Sequence, residues 1–230
     1  MAEIPFDDEG HLLEVLDFLG DELEPSILIG GWATVRRVGG EISRDIDLII
    51  ASDAVRQKIE ATLSELSRST HLQGTKWRGT FDGVHVDVYL PHQSQLGGVL
   101  RLRVEELAKH TERLEGSRWQ LLTIEAHTIS KFAALLDRPD TEKGFKDARE
   151  IVRLLEARVD ASMACRVLAA ATAGSRDDLP QHVAAVFDLI GPRAKPTKPQ
   201  QKLLQQARRE WLRAIEIAVR DTTRARPPLL

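Results

Sequence analysis

The chain has 230 residues, with 32 Lys and Arg against 35 Asp and Glu for a formal charge of -3. Apolar residues at 42% and charged residues at 29% are ordinary globular proportions, which exclude collagen-like, low-complexity and disordered classes. The single Cys165 excludes an internal disulfide framework and a multi-cysteine zinc site. No run of 18 apolar residues occurs and the N-terminus lacks the basic and apolar regions of a signal peptide. The expectation is therefore a cytoplasmic protein with no membrane partner.

The small net charge conceals a gradient. Residues 1–25 hold nine acids and no Lys or Arg, whereas residues 193–230 hold ten bases and three acids, a local charge of +7. A basic end of this kind suits a polyanion such as nucleic acid; a solvated charged face on a terminal helix is the plainer explanation.

In chain order, Asp7–Leu19 has leucines at helical spacing (Leu12, Leu13, Leu16, Leu19), with Asp7 or Asp8 as cap. Ile27-Leu28-Ile29 reads as a buried strand breaking at Gly30-Gly31, and Trp32–Arg37 as a helix. Arg44–Ala51 is a second strand. Ser52 then caps a helix whose buried stripe is Val55, Ile59, Leu63 and Leu66. Lys76–Thr80 and Val84–Leu90 form a hairpin through Phe81-Asp82-Gly83.

The second half is mostly helical. Helices are expected at Val104–Glu115, Thr128–Leu136, Phe145–Ala157, Ser162–Ala171 and Leu179–Ile190, with a short strand at Trp119–Ile124. Gly191–Pro199 reads as a Pro/Lys-rich linker, and Gln200–Arg220 as a basic amphipathic helix. The expected class is α+β: a small mixed β-sheet core with flanking helices over residues 1–110, then a helical C-terminal domain over 111–230.

The chemistry-bearing pattern is Asp45-Ile46-Asp47 inside an apolar strand. Alternation puts Asp45 and Asp47 on one face and Ile46, Leu48 and Ile50 on the other. Adjacent carboxylates repel, and a hard divalent cation between them reverses the sign; Mg²⁺ prefers such oxygen ligands, completed by phosphates. Asp87 stands on the polar face of Val84–Val88. If the two strands pair, three carboxylates converge into a patch suited to two-metal phosphoryl chemistry. Two solvent-facing acids on a half-buried strand would be the bland account of Asp45 and Asp47 alone. Gly30-Gly31 allows close backbone approach, and the N–H groups of the helix that follows favour phosphate.

These residues together resemble the active-site core of the polymerase-β-type nucleotidyltransferases, and the chain is similar to the AbiEii/AbiGii toxin family, which includes the MenT toxins. The first of that family's four motifs, a glycine turn leading to DxD, is matched by Leu28–Ala33 and Asp45–Asp47. Lys76-Trp77-Arg78-Gly79 matches the second motif, Lys131 in Thr128–Arg138 the third, and Lys146–Glu150 the fourth. The likeness covers about residues 27–156. Gly31 stands where Ser is usual, the gap from Gly31 to Asp45 is slightly long, and Glu150 stands where an Asp is expected.

The resemblance implies transfer of a nucleotide from an NTP to an acceptor hydroxyl. Asp45, Asp47 and Asp87 would hold Mg²⁺, and Gly30, Gly31, Lys76, Arg78 and Lys131 would bind phosphates or RNA. Asp147 would orient Lys131 or act as base. It further implies a toxin with a cognate antitoxin partner, acting on the tRNA 3′ end. A Lys among small apolar residues must snorkel or find an anion, and a triphosphate would serve Lys131. An ordinary cross-strand charge pair explains Lys76 and Arg78 nearly as well. Two other readings stay open: an antibiotic nucleotidyltransferase acting on aminoglycosides or lincosamides, and a non-catalytic RNA-binding module with this fold.

Overall fold

The computed structural model describes residues 6–24, 26–50, 52–71, 74–115 and 118–224, without the side chains of 6–8, 53, 69–71, 74, 223 and 224. The cap expected of Asp7 or Asp8, the Ala51 end of the second strand and Arg226 of the basic end lie outside the described parts. Two compact units are present, Met1–Gln95 with Ala108–Thr123, and Leu96–Leu107 with Ile124–Leu230. In place of a single cut near residue 110, the chain crosses to the helical unit, returns, and crosses again. The return is made because residues 111–122 supply two further strands to the sheet.

The first unit contains α1 (Phe6–Glu22), β1 (Ser26–Ile29), α2 (Gly30–Val38), β2 (Asp45–Ile50), α3 (Asp53–Thr62), β3 (Ser64–His71), β4 (Gly74–Phe81) and β5 (Val84–Tyr89). After two-residue strands β6 (Gln95–Leu96) and β7 (Leu102–Arg103) and the short α4 (Val104–Leu107), it regains β8 (Thr111–Glu112) and β9 (Gln120–Leu122). The seven-stranded mixed sheet runs β3-β4-β5-β2-β1-β9-β8. β2 pairs antiparallel with β1 and parallel with β5. Its core face, with Leu28, Ile46, Leu48, Trp77, Val86 and Val88, packs with Leu12, Leu16 and Leu19 of α1 and Val55 and Ile59 of α3.

Local chemistry explains the boundaries. Ser52 caps α3 by accepting from the Val55 N–H at 3.4 Å. Asp82 and Gly83 both have positive φ, 47° and 79°, the requirement of a tight two-residue hairpin loop. The expected helix over Val104–Glu115 is cut short at Leu107, because Thr111 and Glu112 pair with Leu122 and Leu121 of β9. β3 replaces the expected helical stripe at Leu66. It is a polar edge strand held by β4 alone, and so shows no apolar alternation to read.

The second unit is helical: α5 (Ile124–Asp137), α6 (Glu142–Glu156), α7 (Ala161–Ala171), a 3₁₀ turn at Arg176–Asp178, α8 (Leu179–Ala194) and α9 (Lys198–Arg224). Phe132 on α5, Phe187 on α8 and Trp211 on α9 meet in an aromatic cluster, with the Phe132 and Trp211 rings 4.7 Å apart. The expected linker over Gly191–Pro199 shrinks to residues 195–197. Pro192 sits in the last turns of α8 and Pro199 in the first turn of α9, where its missing N–H has no helical partner to lose. Among the described residues, no helix is long and apolar enough to cross a membrane.

Candidate functional site

β1 ends at Ile29 and α2 begins at the next residue, so Gly30 and Gly31 form the helix N-terminus itself rather than a turn ahead of it. No side chain caps this end. Gly30 has φ +69°, and a Cβ built on it would lie 3.0 Å from Asp47 Cγ and closer still to Oδ2. The Asp47 carboxylate therefore rests against the positive end of α2, a favourable place for negative charge.

Strand register supplies the rest. Ile29 is opposite Asp47, Asp47 is opposite Asp87, and Asp87 is opposite Arg78, giving one row across β1, β2, β5 and β4. Asp45 lies two residues from Asp47 on the same face, opposite the exposed His85. Asp45 and Asp47 are half-buried; Asp87 is 5% exposed.

Asp87 is turned to β4. Arg78 donates to it from both Nε, 2.7 Å to Oδ1, and a terminal nitrogen, 2.9 Å to Oδ2, and Lys76 Nζ donates at 2.6 Å to Oδ2. Burial pushes the Asp87 carboxyl upward, but hydrogen bonds and charge from Arg78 and Lys76 outweigh it and hold the group below its ordinary 3.8. Arg78 is raised in turn by its hydrogen bond to Asp87. With Asp87 engaged in this way, no group of three His, Cys, Asp or Glu side chains among the described residues is gathered to hold a metal. The donor set nevertheless fits a hard cation: two neighbouring carboxylates, and a third in register, all oxygen donors. Trp77, on the opposite face of β4, is packed in the core at 2% exposure rather than presented for stacking.

Lys131 and Asp147 belong to the helical unit, on α5 and α6. Lys131 is 5% exposed, and its anions are protein carboxylates: Nζ is 3.3 Å from Asp147 Oδ1 and 2.5 Å from Glu150 Oε2. Arg138 donates from Nε to Asp147 Oδ2 at 2.8 Å. Burial raises the Glu150 carboxyl above its ordinary value, and Lys131 pulls it back only in part. The cluster is thus a buried network, with Asp147 held between Lys131 and Arg138. Glu150 and Arg138 complete it, although neither is among the site residues expected from the sequence. Their spacing carried a signal: Glu150 is one turn from Asp147, and Arg138 two turns from Lys131.

Solved structures similar to this chain include a Thermotoga maritima protein assigned as a nucleotidyltransferase, at 16% identity and TM-score 0.41, matching 53% of this chain and 83% of that one. Another is an antigenic nucleotidyltransferase-like protein from Paracoccidioides brasiliensis, at 16% identity and TM-score 0.43, matching 83% of this chain and 98% of that one. No protein-family model matches the chain, and no curated protein matches it in sequence.

Proposed function

We propose that the chain is a Mg²⁺-dependent nucleotidyltransferase that moves a nucleoside monophosphate from an NTP to an acceptor hydroxyl, the tRNA 3′ end. The observation that carries the reading is the row Asp47–Asp87, with Asp45 alongside and Gly30 at the uncapped N-terminus of α2 pressed against Asp47. Carboxylates beside a helix N-terminus pair a cation site with a phosphate site, the combination that phosphoryl transfer needs.

Asp45 and Asp47 would hold Mg²⁺, which supplies charge neutralisation on the triphosphate. The N–H groups opening α2 would bind phosphate oxygens. Asp87 would accept the proton of the acceptor hydroxyl once Lys76 and Arg78 turn from it to the phosphates. The acceptor oxygen then bonds to the α-phosphorus, the bond from that phosphorus to the bridging oxygen breaks, and pyrophosphate leaves. Lys131 already has two carboxylate partners, which supports a positioning part for Lys131 and Asp147 rather than direct phosphate binding. The four-motif resemblance supports a toxin held in check by an antitoxin.

Incubation with each α-labelled NTP and Mg²⁺, with total tRNA, an aminoglycoside or a lincosamide offered as acceptor, tests the proposal. Label on tRNA with the wild-type chain, and none with Asp45→Ala, is the expected result. Label only on aminoglycosides or lincosamides would transfer the reading to a small-molecule acceptor. No label with any acceptor would leave an RNA-binding module.

A further inference from the structure

α9 carries two faces. Leu204, Ala207, Trp211, Ile215 and Ala218 are buried and form its inner side. Lys198, Lys202, Arg209, Arg213 and Arg220 are all exposed and recur at intervals of four and seven residues. At 3.6 residues per turn these five fall within an arc of about 60°, about 180° from the apolar side, along about 33 Å of helix. No carboxylate among the described residues pairs with any of the five; Arg220 Nε donates to the backbone carbonyl of Glu216 at 3.1 Å. Arg208 does pair, with Asp188 at 2.6 Å, but it lies off the stripe.

Helix stability does not account for this pattern. Solvated helix faces ordinarily interleave both signs at four-residue spacing, whereas Glu216 is the one acid within the arc. Lys198 also opens the first turn of α9, where the helix dipole disfavours a cation. A protein partner would call for an apolar, often aromatic, centre. Ile217 at 42% exposure is the large apolar side chain exposed along α9. Regularly spaced cations with little apolar surface between them match a phosphate backbone instead.

We propose that the outer stripe of α9 is a nucleic-acid backbone rail, held on RNA by Lys198, Lys202, Arg209, Arg213 and Arg220. The choice of RNA over other polyanions rests on the acceptor reading above. The contact itself is read without nucleotide, so its failure and the failure of transfer are separate results.

The test is fluorescence anisotropy of a labelled RNA hairpin with the full chain across a salt series. The triple variant Lys202→Gln/Arg209→Gln/Arg213→Gln should weaken binding at least about tenfold at moderate salt and lower the log–log salt slope by about 3. Lys58→Gln/Arg118→Gln/Arg166→Gln removes the same charge elsewhere and should leave both nearly unchanged. Glu216→Lys completes the stripe and should tighten binding, a gain that misfolding cannot mimic. Equal losses from both triple variants, or no gain from Glu216→Lys, would overturn the proposal. Poly-glutamate bound as tightly as the hairpin would reassign the stripe to an acidic protein, and a DNA duplex preferred over RNA would refute the choice of RNA.

Discussion

Gly30 has no room for a side chain because the Asp47 carboxylate occupies the space: a Cβ would stand 3.0 Å from Asp47 Cγ. The positive φ of Gly30 adds a backbone requirement at the same residue. Gly83 shares a positive φ but has nothing within 4 Å of a built Cβ, so it separates the two effects. Gly83→Ala should cost about 1–2 kcal/mol by urea denaturation and leave label transfer intact. Gly30→Ala should cost more and also depress transfer, because Asp47 must shift. Equal stability losses with transfer retained in both would refute the Asp47 contact.

Asp45 and Asp87 should behave differently although both are carboxylates of the same patch. Asp45→Ala should abolish transfer while changing stability by less than about 1 kcal/mol, as expected at a half-buried site with no core packing to lose. Asp87→Asn should abolish transfer and also cost about 1–3 kcal/mol, since Lys76 and Arg78 lose their ionised acceptor. Adding Arg78→Gln to Asp87→Asn should recover part of that loss. Urea midpoints of the three variants decide the matter.

In the helical unit, Lys131→Met should cost about 3–5 kcal/mol, because it strands Asp147 and Glu150 in the interior with one cation fewer. Lys131→Met/Glu150→Leu should be more stable than Lys131→Met alone, as the neutral pair removes an uncompensated charge. A double variant no better than the single would contradict the network.

Cys165 is fully buried, and burial pushes its thiol up to about 12 from an ordinary 9.0. The sign follows from which form the folded chain prefers. A raised thiol pKa keeps the neutral form in the native state, so no stability is lost through this group until the pH exceeds about 9. Alkylation of the native chain should therefore stay far slower than that of a free thiol throughout about pH 7 to 9, because the thiolate is a much smaller fraction at each pH. In denaturant the same reagent should react at once.

Much of the sheet was legible from local pattern alone. Alternation in Asp45–Ile50 and Val84–Tyr89 was enough to put Ile46 and Leu48 on one face and the carboxylates on the other, because a strand has only two sides. The Asp82-Gly83 hairpin followed from the backbone freedom such a loop demands. β3 and the end of α4 were not legible. Both depend on pairing with a partner strand, β4 for β3 and β9 for Thr111–Glu112, and residues 64–71 and 111–112 carry no apolar period of their own.

Composition and spacing thus established the α+β class, the paired aspartates and the basic final helix, each a property of neighbouring residues. Folding alone settled the cross-strand register that sets Asp87 between Asp47 and Arg78. It also settled that Lys131 meets Asp147 and Glu150 inside a helical unit. These outcomes depend on which strand or helix packs beside which, and hydrogen-bond register between segments some 40 residues apart leaves no trace in local periodicity.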